Sequence, residues 1–582
     1  MAIAMLFCKD TFMKLITKCL PGLLLLASLV CSATALRAQD IPATKRLPEG
    51  VLAYGSVPSM PGWVEKFRRT SMGQLIADPA MKDFRAQFEA LIEDAFSSAE
   101  AEGGIPREEL MTLFPGELSI AAIRPRGEKI GGALLVEINN RQQTLDKILA
   151  RVQERLENQF QIDVSTETVQ DVDVTIWTFS YEDDDGLTKT QNLVYTVQDN
   201  YLVMASSISL IDHILTRWDG TADDSFGSNA VFQEIMSVVG GNENVVAKWY
   251  FDPIGLISAG LTASPDTAIY AAIFNGYLPA LGLRSFKAMG GAVDSGTDEY
   301  DVVSRTMYYA RPPISGALKV FEFRQTIQNP PAWVPGDATQ YFGFNWNIQG
   351  AYNAIEETYD SFVGPGAFEQ VVARAMRDGP AASLNLREDV IDVLTGEVHA
   401  YTKMKLNDNF GGQPNMDGAV ALGASSNEDA LKLIDALVAN AEAVTETTDD
   451  GAKIYQSTDA SQPVAIAVKD SMIYFAGNID QLRSILQPAD SPLAESAAYK
   501  GTRGPAPDQV SVMIFQNAEQ QVESVYNAAR DGNYDSFTEG KIDFSLLPPF
   551  EEVSKYFRPS MSYFVPVENG ALNVQYSTPQ PE

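Results

Sequence analysis

Residues 193–215, LVYTVQDNYLVMASSISLIDHIL, decide the fold, because their pattern returns without a gap at 464–486 as VAIAVKDSMIYFAGNIDQLRSIL. Each segment holds two apolar runs with a period of two, joined at a polar pair, Asp199-Asn200 or Asp470-Ser471. Alternation of this kind predicts two strands in a tight hairpin. Apolar residues at helical spacing follow, so each segment is predicted to form a hairpin and a short helix.

Three further blocks recur in the same order along the chain. The matching pairs are LPEGVLAYGSV (47–57) with VPGDATQYFGF (334–344), GELS (116–119) with GEVH (396–399), and 132–152 with 418–438. Collinear self-similarity of this kind predicts a tandem duplication. We expect a first copy at 47–330 and a second copy at 331–582, separated where Pro330 and Pro331 make a stiff link.

Within each copy, segments with a period of two alternate with segments of helical period. Asp78 and Pro79 supply an N-cap and a first helical residue for a helix over 79–97. The other elements predicted in the first copy are strands at 51–57, 117–123, 130–138, 172–180, 192–198 and 200–205, and helices at 141–157 and 207–217. Consecutive hairpins with helices between them predict the α+β class, each copy having an antiparallel sheet with helices packed on one face.

The first 35 residues have the pattern of a secretory signal peptide. Three lysines precede an apolar run at 20–30, which ends in the small residues of ATA at 33–35. The run is shorter than the roughly 20 residues that a membrane-spanning helix needs. We therefore expect removal of 1–35, a linker at 36–46, and a periplasmic or secreted protein that has no transmembrane span after cleavage.

All three cysteines, Cys8, Cys19 and Cys31, precede the predicted cleavage point. The mature chain would then lack cysteine, and its stability would come from a buried core. Lipid attachment at Cys31 is disfavoured, because a valine precedes it where lipoproteins have a small residue. Translation from Met1 and translation from Met13 both fit the signal peptide.

The chain is strongly acidic. Its 43 Lys and Arg residues face 76 Asp and Glu residues, which gives a formal charge of −33. Such a chain has no electrostatic attraction to nucleic acid or to an anionic membrane surface, so we expect neither as a partner. Surface carboxylates are also expected to keep an exported protein soluble.

Signatures of common catalytic sites are missing from the sequence. No G-x-S-x-G, H-E-x-x-H, C-x-x-C or G-x-x-x-x-G-K-[ST] string occurs. The two histidines are His213 and His399, and their counterparts in the other copy are Ser484 and Ser119. Histidines at non-equivalent positions of a duplication seldom build one site, so both are predicted to be structural or exposed. We predict no catalytic residue, no cofactor and no metal site.

Carboxylates are abundant, and three groups of them are candidate sites. The acidic cluster at 182–186 lacks the ligand spacing of a calcium-binding loop and is predicted to be an exposed turn. Asp171 and Asp173 would share one strand face, as glycosidase carboxylates can, although a solvated face is the favoured interpretation. Glu117 and Glu397 occur in both copies behind a glycine, and a structural role at the turn is predicted.

The opening LPEGVLAYGSVPSM, the G-E-[LV] strand, and the hydrophobic strand followed by a short helix together resemble an exported bacterial family of unknown function. Its members are common in planctomycetes and carry signal peptides and long α+β ectodomains. The resemblance covers most of the mature chain and implies export and the α+β class. It implies no catalytic or binding residue.

The two copies differ most at residues 253–283, PIGLISAGLTASPDTAIYAAIFNGYLPALGL, where Asp266 is the one charged residue. The corresponding stretch near 518–550 is polar. Several prolines predict broken helices here and not a membrane span. The segment is predicted either to be buried against the second copy or to form an apolar surface for a ligand or partner. Its candidate residues are Ile254, Leu256, Ile257, Ile269, Ile273, Phe274 and Leu278.

Export, duplication and the missing catalytic signatures together favour a non-enzymatic binding or scaffolding protein of the cell envelope. Its partner would be an unknown envelope protein or an apolar ligand. Two alternatives stay open: a carrier or chaperone for a lipid or other apolar ligand through 253–283, and an exported glycan hydrolase that uses carboxylates.

Overall fold

The computed structural model describes residues 41–579 apart from 12 short gaps. The gaps are 104–112, 139–140, 160–161, 183–187, 241–244, 264–266, 378–383, 407–413, 440–443, 450, 459–463 and 535–541. The predicted signal peptide, the three cysteines and most of the predicted acidic turn at 182–186 lie outside the described residues.

The chain divides into two compact units. Unit 1 contains Met1–Phe274, Lys287–Thr297 and Ser304–Met307, and unit 2 contains Asn275–Phe286, Asp298–Val303 and Tyr308–Glu582. Each unit combines helices with an antiparallel sheet, so the α+β class is confirmed.

The sheet of unit 1 is antiparallel throughout. Its strands are β1 (Val51–Val57), β2 (Leu118–Ile123), β3 (Gly131–Glu137), β4 (Ile162–Val169), β5 (Val172–Glu182), β6 (Thr188–Gln198), β7 (Tyr201–Ala205), β8 (Val245–Phe251) and β9 (Phe286–Ser295). They pair in the order β4-β5-β6-β7-β3-β2-β1-β8-β9. Strand β1 is therefore flanked by β2 and β8.

Helices connect these strands. They are α1 (Ala43–Arg46), α2 (Met60–Arg69), α3 (Ser71–Ala77), α4 (Lys82–Gly103), α5 (Gln142–Gln159), α6 (Ile208–Leu215), α7 (Ala230–Val239), α8 (Pro253–Leu261) and α9 (Ala268–Tyr277). Helix α5 buries Leu145, Leu149 and Leu156 against Trp177 and Leu202 of the sheet. Each such side chain contributes about 1.5–3 kcal/mol when it is fully buried, so this contact fixes α5 on its face of the sheet.

Unit 2 has a sheet of the same kind. Its strands are β11 (Gln340–Asn345), β12 (Leu394–Leu406), β13 (Pro414–Ala424), β14 (Val444–Asp449), β15 (Ala452–Ser457), β16 (Ala465–Lys469), β17 (Met472–Ala476), β18 (Val512–Gln516), β19 (Ser560–Val567) and β20 (Gly570–Ser577). They follow β10 (Val302–Ala310), which contains residues of both units. They pair antiparallel in the order β14-β15-β16-β17-β13-β12-β11-β18-β19-β20. Within unit 2, the backbone N–H of Asp301 donates to the carbonyl oxygen of Ser577, and that of Ala310 donates to the carbonyl oxygen of Asn569.

The helices of unit 2 are α10 (Ile348–Val363), α11 (Ala367–Arg377), α12 (Asn427–Val438), α13 (Ile479–Ile485), α14 (Ala497–Arg503), α15 (Ala518–Arg530) and α16 (Phe550–Val553). Helix α12 buries Ala430, Leu433 and Ile434 against Tyr455 and Val468. It therefore covers β15 and β16 as α5 covers β5 and β6.

Strand pairing is alike in the two units at residue level. Ala133 pairs with Ala205 between β3 and β7, and Ala419 pairs with Ala476 between β13 and β17. These pairs occupy matching positions of the repeated sequence blocks. The hydrophobic pattern and the turn together set such a register.

The two hairpins predicted from the repeated segment are confirmed. Asp199 and Asn200 have φ values of 44° and 66°, and Asp470 and Ser471 have values of 50° and 59°. Two consecutive residues in the left-handed region make the type I′ turn that suits the twist of a two-residue hairpin. Short polar side chains tolerate this conformation better than branched apolar ones do.

Other predictions need correction. Asp171 has a φ of 61° and lies in the turn between β4 and β5, so the prediction that Asp171 and Asp173 share a strand face is wrong. Strand β4 was not predicted, because its sequence IDVSTETV lacks apolar alternation and its side chains are mostly exposed. The helix predicted over 79–97 starts with a 3-10 turn at Pro79–Met81, capped by Asp78 as expected, and continues to Gly103.

Candidate functional site

A tyrosine, a hydroxyl and a carboxylate form a polar cluster at the centre of unit 1. The Ser119 hydroxyl donates to Oε1 of Glu117 at 2.8 Å, and the Tyr54 hydroxyl lies 3.2 Å from Oγ of Ser119. The other oxygen of Glu117 accepts the backbone N–H of Ala43 at 2.9 Å. Tyr54 and Ser119 are buried, so their hydroxyl groups find partners inside the protein, as buried polar groups require.

Unit 2 has a histidine in the corresponding cluster. The Tyr341 hydroxyl lies 2.8 Å from Nδ1 of His399, and Nε2 of His399 lies 2.8 Å from Oε1 of Glu397. Because a carboxylate only accepts, Nε2 donates to Glu397, and Nδ1 shares the second hydrogen bond with the tyrosine hydroxyl. Both imidazole nitrogens of His399 are therefore hydrogen-bonded.

Neighbouring strands bring these residues together. Gly343 in β11 is directly opposite His399 in β12, and a Cβ atom at position 343 would fall 2.3 Å from the Tyr341 hydroxyl oxygen. The glycine therefore leaves the space through which this hydroxyl reaches the imidazole. Gly396 has a φ of 87°, and a Cβ there would fall 1.8 Å from the carbonyl oxygen of Trp346, so this turn also requires glycine.

Burial and hydrogen bonding set the charge states in the two clusters. Burial raises the pKa of Tyr341 well above its usual value, and burial likewise raises the pKa of Tyr54. The hydrogen bond from His399 lowers the pKa of Glu397. The neutral tyrosines lie inside the core, and the carboxylate lies at the outer end of each hydrogen-bonded cluster. These side chains are therefore suited to a structural role. Because the tyrosine hydroxyls are enclosed, the arrangement suits stabilisation of the sheet and not contact with a substrate.

The second histidine is in unit 1. Nε2 of His213, in α6, lies 2.9 Å from Oε1 of Glu128, and the Ser209 hydroxyl donates to the other oxygen at 2.7 Å. The hydrogen bond with His213 lowers the pKa of Glu128. His213 and His399 thus each pair with a carboxylate of their own unit.

A cleft of about 430 Å³ opens between α5 and the strands β5 and β6 in unit 1. Its helix side is formed by Gln142, Asp146, Leu149, Ala150 and Gln153, and its strand side by Val172, Asp173, Thr175, Tyr195, Thr196 and Val197. Spacings of three and four place the helix residues on one face. The sequence pattern singles out Asp173 but not the helix residues, because exposed polar positions on a helix have no distinctive pattern.

The residues predicted as an apolar surface at 253–283 divide into buried and exposed ones. Leu256 and Leu278 are buried, and Ile254 and Phe274 are half-buried. Ile269 and Ile273 are 65% and 48% exposed, and Ile257 in α8 is 45% exposed.

Tyr270 lies beside these isoleucines and is 59% exposed, whereas Ala271 is buried. The helical period places positions 269, 270 and 273 on one side of α9. We call Ile269, Tyr270 and Ile273 the apolar helix face.

Metal sites and membrane-spanning helices are two other classes of feature. No group of three His, Cys, Asp or Glu side chains in that part of the chain could hold a metal ion. None of the helices described combines the length and apolar character that crossing a bilayer requires.

Residues 80–252 match a family described as protein of unknown function (DUF3352). The match covers α4 to β8 and includes both the cleft and the cluster residue Ser119. A domain similar to this uncharacterised family is therefore present in unit 1. No curated protein and no solved structure matches the chain.

Proposed function

We propose that this chain is a non-enzymatic binding protein of the cell envelope, which docks onto the uncharged surface of a lipid bilayer through the apolar helix face. The observation that carries the proposal is the exposure of Ile269, Tyr270 and Ile273 on one side of α9. Large apolar side chains grouped on a surface mark an interaction site more often than scattered ones do.

The composition of the surface favours lipid as the occupant. Two isoleucines flank a tyrosine, whose ring has an apolar body and a polar tip and so suits the boundary between acyl chains and headgroups. Only one charged residue occurs in the whole of 253–283. A chain with a formal charge of −33 repels a second copy of itself and anionic lipid, but it can approach an uncharged bilayer.

The same geometry bears on the alternative of a lipid carrier. A carrier encloses its ligand in a cavity, which buries most of the ligand surface. Ile269 and Ile273 instead face solvent on a helix, which suits docking onto an extended surface. Lipid retained by the purified chain in native mass spectrometry would favour the carrier.

Export and ancestry belong to the same proposal. The basic and apolar pattern at 1–35 supports delivery to the envelope, and the opening of the mature chain is similar to an exported bacterial family common in planctomycetes. The collinear blocks, together with matching strand order in the two units, support descent from a duplicated α+β domain.

Flotation with phosphatidylcholine vesicles tests the proposal. The mature chain should float with the vesicles, and the double variant Ile269→Ser/Ile273→Ser should remain at the bottom of the gradient. Val525→Ser/Leu546→Ser is the matched control, because it replaces two exposed apolar residues of 518–550. Equal flotation of both double variants would reject the apolar helix face as the docking surface.

A further inference from the structure

Helix α10 extends beyond the part of unit 2 that it packs against. Its buried residues, Ala351, Tyr352 and Ala354, all lie near its start. Phe362 follows Ala351 by eleven positions, or about three helical turns, so the two residues lie on the same side of the helix. Phe362 is nevertheless 43% exposed, and Val363 is 61% exposed. The apolar side of α10 therefore continues past the core of unit 2, and we call Phe362 and Val363 the hairpin end.

The turn between α10 and α11 holds the hairpin end in place. The carboxylate of Asp360 accepts two backbone N–H groups at the start of α11, at 2.6 Å and 2.8 Å. The ring of Phe368 in α11 packs against Tyr352 and Tyr359 of α10, with ring centres 5.5 Å and 5.8 Å apart. Because these contacts join the two helices, the exposure of the hairpin end is a consequence of the folded hairpin.

An aromatic contact connects the hairpin end to α9. The rings of Tyr277 and Phe362 lie with their centres 4.9 Å apart, and both residues belong to unit 2. Tyr277 is itself 48% exposed. It follows Tyr270 by seven positions, or about two helical turns, and therefore lies on the same side of α9 as the apolar helix face. Through Tyr277, the hairpin end continues the surface that we propose to contact lipid.

The two segments that meet at this contact carry no charge. Residues 267–283 and 361–368 contain no Lys, Arg, Asp or Glu, although 20% of the whole chain is charged. The basic residues of α11, Arg374 and Arg377, lie in its last turn, away from the hairpin end. Since this surface supplies no cation to attract headgroups, its affinity for lipid depends on the apolar area that it buries.

Charge also distinguishes between possible occupants of the surface. Glu357 and Glu369 are exposed on α10 and α11, and the chain has a formal charge of −33. Like charges repel, so an anionic bilayer and a second copy of the chain are both disfavoured. An uncharged bilayer meets no such repulsion, and its boundary between acyl chains and headgroups suits apolar side chains beside a tyrosine.

We propose that Phe362 and Val363 insert between the lipids of an uncharged bilayer, and that the chain therefore prefers strongly curved, loosely packed bilayers to flat ones. This proposal rests on the proposed function, because it gives a second contact and a lipid preference to the same docking event. Side chains that enter between headgroups must separate them, which costs least where curvature already loosens the packing. Binding by apolar insertion is accordingly sensitive to curvature.

Flotation with small sonicated and large extruded vesicles of dioleoylphosphatidylcholine tests the lipid preference. The mature chain should bind the small vesicles at least about fivefold more strongly than the large ones. Phe362→Ser/Val363→Ser should bind the small vesicles about tenfold more weakly than the wild type, because two apolar side chains no longer enter the bilayer. The matched control is Phe321→Ser/Val464→Ser, at residues of unit 2 that are 74% and 47% exposed, and it should bind as the wild type does.

A fluorescent label measures insertion directly. A chain that begins at residue 36 contains no cysteine, so Val363→Cys and Val464→Cys can each carry a single nitrobenzoxadiazole group. When small vesicles are added, the emission of the label at position 363 should shift to shorter wavelengths, because the label enters an apolar environment. The label at position 464 should keep its aqueous emission.

The possible failures of the two proposals can be told apart. If the wild type floats but the label at position 363 keeps its aqueous emission, insertion is rejected and docking through the apolar helix face stands. Equal binding to small and large vesicles would reject the curvature preference. If the wild type floats with neither vesicle, both proposals are rejected. A wild-type dimer that becomes a monomer in Phe362→Ser/Val363→Ser, measured by sedimentation equilibrium, would assign the hairpin end to a second copy of the chain and overturn insertion.

Discussion

The hydroxyl of Tyr341 lies 2.8 Å from Nδ1 of His399, although the two residues are 58 positions apart in the chain. Both side chains are buried, at 0% and 5% exposure. The contact links β11 to β12 inside the core. Glu397, which is hydrogen-bonded to the other nitrogen of His399, reaches the surface. Removal of the imidazole would leave a buried hydroxyl without its partner, which costs more than the hydrogen bond itself contributes.

We expect His399→Ala to lower the free energy of unfolding by about 1–3 kcal/mol, because the Tyr341 hydroxyl would remain buried without this hydrogen-bond partner. The double variant Tyr341→Phe/His399→Ala removes both polar groups and should lose less than the sum of the two single variants. Urea unfolding of the four proteins measures the difference. If the double variant loses as much free energy of unfolding as the two single variants together, Tyr341 and His399 do not act as a unit.

The lowered pKa of Glu397 predicts how this contact depends on pH. A carboxylate with a lower pKa in the folded state stabilises the protein above the unfolded pKa of about 4.3, and this stabilisation disappears as the pH falls through the folded value. The stability difference between the wild type and Glu397→Gln should therefore shrink between pH 6 and pH 3. Glu551→Gln, at an exposed residue of α16, should differ little from the wild type at each pH.

Gly396→Ala should destabilise the protein by about 2 kcal/mol or more, because the position combines a positive φ with close approach of the Trp346 carbonyl oxygen. Gly132→Ala is the matched control, since a Cβ at this strand glycine meets nothing within 4 Å. The control should stay within about 0.5 kcal/mol of the wild type. Thermal unfolding compares the stability of the two variants. Similar losses of stability in both would contradict the steric explanation.

Ile269→Ser/Ile273→Ser should leave the fold nearly as stable as the wild type, within about 1 kcal/mol, because both side chains already face solvent. Leu145→Ala, on the buried face of α5, should instead cost about 2–5 kcal/mol. Chemical unfolding measures the free energy of unfolding of the isoleucine variant and of Leu145→Ala. A large loss in the isoleucine variant would mean that these residues stabilise the fold and would weaken their assignment to lipid docking.

The candidate sites were only partly visible in the sequence. The repeats place Tyr54 and Tyr341 at matching positions, and they do the same for GELS and GEVH. The sequence does not show that these side chains meet, because that contact depends on the pairing of β1 with β2 and of β11 with β12. The sequence alternation groups Asp173 with Asp171. The structure separates the two, because a left-handed turn residue does not continue the alternation of a strand.

The sequence by itself determined the local elements that have a strong period, such as the hairpin joined at Asp199-Asn200 and the helix α5. It also determined the acidic charge and the single apolar segment at 253–283. Periodicity and turn preference act between neighbours in the chain, so they can be read without a fold.

Tertiary structure alone decided that Ile269 is exposed while Leu278 is buried, that β4 joins the sheet although its sequence is polar, and that Asp146 and Asp173 line one cleft. Each of these depends on contacts between residues far apart in the chain. Burial of an apolar side chain stabilises the fold, but composition does not determine which of several apolar residues is buried. Pairing with β5 likewise supplies β4 with the hydrogen bonds that its own side-chain pattern does not predict.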